Sequence, residues 1–323
     1  MNIAILGAGV IATSMATAIN GLDDSYCAYA VASRNLDKAE AFKEKWGFKV
    51  AYGSYEEMLK DPAVDLVYVA TPHSHHFEHT KLCIEYGKPA LVEKAFTANA
   101  KQARELIALA EEKKVFITEA IWTRYMPSRK IIDDVIKSGL IGDVHLVMAE
   151  LSYPINGVER LLEPSLAGGA LLDLGVYPIN FASMVLGDEV TDILGKCTLT
   201  DTGVDSQESI TLTYKNGQLA ILSASMKVAA HRFGLIRGSK GYINCTNINN
   251  VEAVEVYDEN HNLLKNIEIP TQINGYEYEV MACKRALEAG ELECYEMPHS
   301  ETIRIMDIMD NLRGQFGVKY PFE

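Results

Sequence analysis

The stretch that most constrains the fold is the first one, MNIAILGAGVIATSMATAIN. A short isoleucine-rich run at residues 2–6 meets Gly7-Ala8-Gly9 with no spacer, and a helix of small residues follows at 10–19. Strand, glycine turn and helix in immediate succession open a dinucleotide fold. Gly7 allows the sharp turn, Gly9 lets backbone approach a pyrophosphate, and Ala12 stands where a third glycine is customary. The amides of the first helical turn, at Val10 and Ile11, then face the diphosphate charge. Packing alone can also require glycine in such a turn, so the rest of the chain has to decide.

It continues as alternating strands and helices. Strands are expected at 27–32, 65–70, 90–92 and 115–119, and helices at 35–46, 54–60, 77–86 and 99–113, with Ser54 and Asn99 as caps. Strands that are continuously apolar rather than alternating imply a parallel sheet covered on both faces. After residue 121 the pattern changes. A helix at 128–137, a strand at 144–151 and an apolar helix from Ala170 precede a run of strands between 192 and 269, with Asn216-Gly217 as the strongest hairpin signal. Helices at 276–289 and 300–316 close the chain. The expected division is residues 1–121, an α/β dinucleotide-binding domain, and residues 122–323, an α+β domain with a mainly antiparallel sheet.

A chain of 323 residues is long for one core, and 48% hydrophobic with 23% charged residues is a globular composition. A net charge of −14 argues against nucleic acid or an anionic membrane as partner and leaves room only for a local cationic pocket. The six cysteines show no paired spacing, there is no basic leader, and no apolar run is expected to reach membrane-spanning length, all of which point to the cytoplasm.

Where an NAD enzyme places an acid, at the end of the second strand, this chain has Ser33-Arg34 with Lys38 one turn on. A guanidinium and a hydroxyl suit a 2′-phosphate, so NADP is the expected cofactor, with NAD possible; the alternative is an ordinary solvated arginine. Thr71, Pro72, His73 and His76 follow the strand at 65–70 and are read as lining the dinucleotide groove. The four histidines of 73–79 invite a zinc reading, but no cysteine or carboxylate elsewhere has a matching spacing and no metal is expected. Glu93-Lys94 emerges from another strand end, as a surface ion pair or as an ammonium aimed into the cleft, where it would polarise a carbonyl or lower the pKa of a hydroxyl. Asp173 and Tyr177 share a helical face in apolar surroundings, where an unpaired carboxylate is costly.

GAGVIA, SR, TPHSHH, EKA, EAIWTR (119–124) and GGALLDLGVYPINF (168–181) together resemble the Gfo/Idh/MocA oxidoreductase family. Within it, AYGSYEE, EAIWTR, GGALLDLG and TGVD are similar to the branch of dimeric dihydrodiol and NADP-dependent D-xylose dehydrogenases. The resemblance implies a Rossmann domain followed by an open sheet whose free face serves a homodimer or higher homo-oligomer. It implies catalytic roles for Lys94 and Tyr177, supported by Asp173, and places Trp122 and Arg124 beside cofactor and substrate. Ala95 stands where the family commonly has proline, which leaves the aim of Lys94 less constrained.

On this reading Tyr177 exchanges a proton with the substrate oxygen, Lys94 eases the phenol's ionisation, and Asp173 orients both. Trp122, Tyr153, Tyr177 and Tyr276 are the expected substrate contacts for a small sugar, polyol or cyclic diol. The competing expectation is a non-catalytic NADP-sensing regulator on the same scaffold.

Overall fold

A computed structural model describes residues 1–323. In chain order the elements are β1 (Asn2–Leu6), α1 (Val10–Gly21), β2 (Cys27–Ala32), α2 (Leu36–Trp46), β3 (Val50–Tyr52), α3 (Tyr55–Lys60), β4 (Leu66–Val69), α4 (His73–Glu85), β5 (Ala90–Glu93), α5 (Ala100–Lys113) and β6 (Ile117–Ala120). A 3₁₀ turn (Trp122–Arg124) leads to α6 (Pro127–Lys137), β7 (Val144–Ser152) and the short α7 (Glu159–Leu162). One turn of π-helix (Leu171–Gly175) runs directly into α8 (Val176–Leu186). Then come β8 (Val190–Leu199), β9 (Asp205–Tyr214), β10 (Leu219–Ser225), β11 (Gly234–Gly238), β12 (Gly241–Thr246), β13 (Ala253–Asp258), β14 (Leu263–Glu268), α9 (Glu277–Glu288) and α10 (His299–Phe316).

The chain forms two compact units. The first is a parallel six-stranded sheet in the order β3-β2-β1-β4-β5-β6. Every residue of β4 and β5 is buried, as are Ile3 to Leu6 of β1, which is why these strands are apolar on both faces. The strand order reverses between β1 and β4, and ligands of such sheets gather beyond the strand ends at that point. Three of the helices start where a side chain satisfies their first amides: Asn35 accepts from Lys38 N, Ser54 from Glu57 N and Asn99 from Gln102 N. Two local expectations shift. Helix α4 starts at His73 rather than 77, launched by Pro72 with φ −61° and ψ 153°, and the short half-buried β3 has no counterpart in the sequence reading.

The units are not contiguous halves, because Gln272–Ile303 clusters with Met1–Tyr125. The hydrogen bonds show why: Ile117 N donates to Leu292 O at 3.1 Å, His299 Nε2 lies 2.9 Å from Ile117 O, and Asn274 Nδ2 donates to Ser14 O at 2.8 Å. This segment finishes the open edge of the parallel sheet, and a chain-order reading has no signal for it.

The second unit is an eight-stranded sheet in the order β14-β13-β12-β11-β7-β10-β9-β8, antiparallel except for β7 beside β10. The turn at Asn216-Gly217 joins β9 to β10, with Gly217 at φ +86° as a left-handed turn position requires. The strands of this sheet alternate, so Glu208, Ile210, Leu212 and Tyr214 of β9 face the side covered by α8. The opposite side carries Leu194, Ile221 and Leu263 in exposed positions.

One expectation on length is corrected. Pro164–Leu186 is long and apolar enough to cross a membrane by length and composition, at mean hydropathy 1.4. Of that window, 83% is buried in the fold, so the run is apolar all round because it is a core helix.

The C-terminal residues are fastened to α10 by charge. Buried Arg313 donates to both carboxylate oxygens of Glu323, at 2.9 and 2.8 Å, and to Asp310 at 2.9 Å. Charge-assisted hydrogen bonds of this kind are worth about 1.5–3 kcal/mol each. Glu323→Ala is expected to lower unfolding stability by about 1–3 kcal/mol, read from the denaturant midpoint; an unchanged midpoint would show that Asp310 alone satisfies Arg313.

Candidate cofactor and catalytic site

In the first unit the glycine turn has the form a diphosphate needs. Gly7 sits at φ +107°, donates to Ala32 O at 2.9 Å, and has Ala70 O only 2.8 Å from where a Cβ would stand. Its glycine is therefore required by packing. Gly9 is different, since a Cβ there would meet only Ala70 O at 3.8 Å. Nothing in the protein demands glycine at position 9, which is what room for a ligand predicts. Gly9 caps α1 with no side-chain hydrogen bond, the first turn holds no acid, and Val10 is 89% exposed. The amides at Val10 and Ile11 thus offer uncancelled positive potential to an anion.

At the end of β2, Ser33 is buried and receives Asn35 N at 3.3 Å, while Arg34 and Lys38 are exposed. Arg34 forms no ion pair within the protein, so its guanidinium is open to a phosphate. Two neighbours escaped the sequence reading. The Tyr55 and His79 rings meet edge to face at 4.8 Å, and His79 Nδ1 lies 3.0 Å from Thr71 Oγ1. Burial first, then the neighbouring His75, His76 and Arg34, push the His79 pKa down to about 4, so it is neutral beside Arg34.

Around Lys94 the backbone and its neighbours are held by buried polar groups. The Lys94-Ala95 peptide is cis. Glu93 is buried and receives the Tyr68 hydroxyl on one oxygen and Lys94 N, at 3.1 Å, on the other. Ala95 O lies 2.8 Å from His76 Nδ1, and Phe96 N donates to Glu119 Oε1 at 3.1 Å. His76 Nε2 also lies 2.7 Å from Thr71 O, so one buried imidazole ties the end of β4 to the turn after β5. Glu119 is held up to about 7 by burial, against the pull of Phe96 N, Thr302 and Arg124. Arg124 is buried and paired with Glu301, and Trp122 stacks on Tyr276 with ring centroids 4.3 Å apart. The histidines of 73–79 join no group of three or more potential metal ligands.

In the second unit, Gly169 lies at φ +119° with Asp205 Oδ1 2.4 Å from a Cβ position, and Asp205 Oδ2 receives Leu171 N at 2.6 Å. Asp205, brought in from β9, therefore caps the π turn on which Asp173 lies. Asp173 is buried and receives both terminal nitrogens of Arg160, at 3.1 and 3.2 Å. That partner is what its apolar setting demanded, and the sequence reading did not find it. Tyr177 is buried in the first turn of α8. Tyr153 is half-buried, its hydroxyl taken by Arg232 Nη1 and Asn249 Nδ2, each at 3.0 Å.

A pH dependence follows from His76. Both its nitrogens face carbonyls, yet burial, aided by the nearby Lys94 charge and His75, holds its pKa down to about 4 in the fold. A pKa below the unfolded value of about 6.5 leaves its contribution intact above pH 6.5 and erodes it as pH falls toward 4. Stability of the wild type is expected to drop over that window, and His76→Asn to flatten the drop; parallel curves for the two proteins would contradict a neutral buried His76.

Comparison with known proteins agrees with this architecture. Residues 1–120 match the "Oxidoreductase family, NAD-binding Rossmann fold" description, and residues 130–244 match the "GFO/IDH/MocA C-terminal domain". The chain is 34% identical over 327 residues to trans-1,2-dihydrobenzene-1,2-diol dehydrogenase of Danio rerio, covering 98% of this chain and 97% of that one. It is 36% identical over 355 aligned positions to D-xylose 1-dehydrogenase (NADP(+)) of Hypocrea jecorina, covering 94% and 87%. Among solved structures, KijD10, a 3-ketoreductase from Actinomadura kijaniata in complex with NADP and TDP-benzene, superposes with a TM-score of 0.88 at 25% identity, covering 97% of each chain. With both domains matched and full-length relatives above 30% identity, this chain belongs to the Gfo/Idh/MocA family of nicotinamide-dependent oxidoreductases.

Proposed function

We propose that the protein is an NADP-dependent dehydrogenase that interconverts a hydroxyl and a carbonyl of a small sugar, polyol or cyclic diol, with Lys94 and Tyr177 acting on one substrate oxygen. The observation that carries this reading is the near full-length similarity to dihydrodiol and D-xylose dehydrogenases, in a chain that carries Lys94, Asp173 and Tyr177. The same similarity favours an enzyme over a non-catalytic sensor.

When bound, the nicotinamide supplies the acceptor or donor of hydride. The protein's share is binding, aim and proton handling. The amides at Val10 and Ile11 hold the diphosphate, and Thr71, Pro72 and His73 wall the groove, while the buried His76 and Glu93, expected from the sequence to line it, brace the backbone behind it. Arg34, with Ser33 and Lys38, takes the 2′-phosphate through a charge-assisted fork. In the oxidising direction, the O–H bond of the substrate gives its proton to the Tyr177 oxygen as its C–H bond gives up hydride. A phenol ionises ordinarily near pH 10, so the Lys94 ammonium is assigned the task of favouring the phenolate. Asp173, paired with Arg160, orients the π turn beneath Tyr177. Trp122, Tyr276 and Tyr153 offer aromatic faces to the sugar or diol, and Arg124, in the same 3₁₀ turn as Trp122 and paired with Glu301, lies beside them.

The uncovered side of the second sheet, with Leu194, Ile221 and Leu263, is proposed as the surface of a homodimer or higher homo-oligomer. Six free cysteines support placement in the cytoplasm.

Tyr177→Phe and Lys94→Ala are each expected to lower kcat by about 10²–10⁴-fold on the best sugar or diol of a panel, with folding intact. Turnover unchanged in both variants would remove the assignment. Arg34→Ala is expected to weaken NADP by about tenfold or more while leaving NAD within about twofold, by equilibrium titration; equal losses would show that no 2′-phosphate is read there.

A further inference from the structure

Beneath the π turn lies a carboxyl that the proposed mechanism does not use. Glu208 of β9 is buried at 5% exposure, and neither of its oxygens has a hydrogen-bond partner. It sits against the turn itself: a Cβ at Gly175 would stand 2.4 Å from Glu208 Oε1, so glycine at 175 is what lets the acid reach the helix backbone.

The charges around it make ionisation costly. Asp205 lies on the same strand and is itself an acid, fully buried and pushed up to about 6 by burial. On β8, Cys197 is the register partner of Glu208, and its thiol is pushed up to about 11 by burial and by Asp205 and Glu208. On β10 the register partner is Ala224, which carries no charge. On the π turn, Asp173 is already committed to Arg160. From α10 the nearest cation, Arg313, faces Asp205 and is held by Asp310 and Glu323, and Tyr320 also faces Asp205. A buried carboxylate with no cation and no donor neutralises instead.

We propose that Glu208 is a positioning residue: an uncharged carboxylic acid that sets the height of the Leu171–Gly175 turn over the sheet and thereby the placement of Asp173 and Tyr177. Asp205 fixes the start of that turn through Leu171 N, and Glu208 supports its end at Gly175. The turn is a π turn, with Val176 N donating to Leu171 O, and its backbone at Gly175 meets the Glu208 carboxyl directly. Glutamine keeps the size and polarity of that contact without a charge, and leucine does not.

The inference rests on the reading of Tyr177 as the acid/base, and its test separates the two. Wild type, Glu208→Gln and Glu208→Leu are compared in the intact protein, by chemical unfolding between pH 4 and 8 and by kcat and KM for NADP and for the best sugar or diol substrate. An acid kept neutral by the fold stabilises fully below its unfolded pKa near 4.5 and costs stability as pH rises above it. Glu208→Gln should therefore gain on wild type by up to about tenfold in the folding constant per pH unit above 4.5, while keeping kcat within about threefold. Glu208→Leu should lose about tenfold or more in kcat with KM for NADP unchanged. Parallel stability curves for wild type and Glu208→Gln would overturn the proposal, as would a Glu208→Leu protein that turns over like wild type. Should the leucine variant fail to fold, the stability curves of the glutamine variant decide alone. Should Tyr177→Phe keep full turnover, the catalytic reading falls, and the pH-dependent gap still tests the uncharged state of Glu208.

Discussion

The first unit depends on how its buried polar groups are paired at the carboxyl ends of an apolar parallel sheet. A strand such as β5 is buried on both faces, so whatever emerges from it must have its backbone and side chains satisfied from neighbouring elements. Tyr68 and Lys94 N take the two oxygens of Glu93, His76 reaches Ala95 O, and Glu119 receives Phe96 N. These bonds come from β4, α4 and β6, the sheet neighbours of β5 and the helix between them. The polar residues at the strand ends therefore act together as a frame around the backbone from which Lys94 emerges.

The second unit repeats the logic with acids. Asp205 and Glu208, two residues of β9 on the covered side of a sheet, meet a helix whose backbone comes close only because positions 169 and 175 are glycine. Asp173 is bound to Arg160, so of the three buried acids one is paired, one caps a backbone amide and one has neither.

Much of this was legible in the sequence where the signal is local. The glycine turn, the Asn99 and Ser54 caps, the Asn216-Gly217 hairpin and the change from parallel to antiparallel strands each depend on residues within a few positions of one another. What was missed depends on partners far apart in sequence. Nothing near Gln272–Ile303 announces that it finishes the first sheet, since its contacts are with Ile117 and Ser14. Arg160 gives no sign of its bond to Asp173 because α7 is a four-residue helix without periodicity. That Pro164–Leu186 is long and apolar enough for a membrane also went unread, and its burial rather than its composition tells it from a membrane helix. The π turn itself has no composition signature, and only the glycines at 169 and 175 hint that something from another strand presses against it.

On the proposed function, this scaffold moves hydride between a carbinol carbon and a nicotinamide while its own side chains move the proton. The most direct measurement is the fate of label from a sugar or cyclic diol deuterated at the carbinol carbon, incubated with NADP and followed by mass spectrometry. The account predicts one deuterium carried into the reduced nicotinamide by the wild type and no labelled nicotinamide from the Lys94→Met, Tyr177→Phe double variant. Label released to water by the wild type, or labelled nicotinamide formed at the wild-type rate by the double variant, would contradict it.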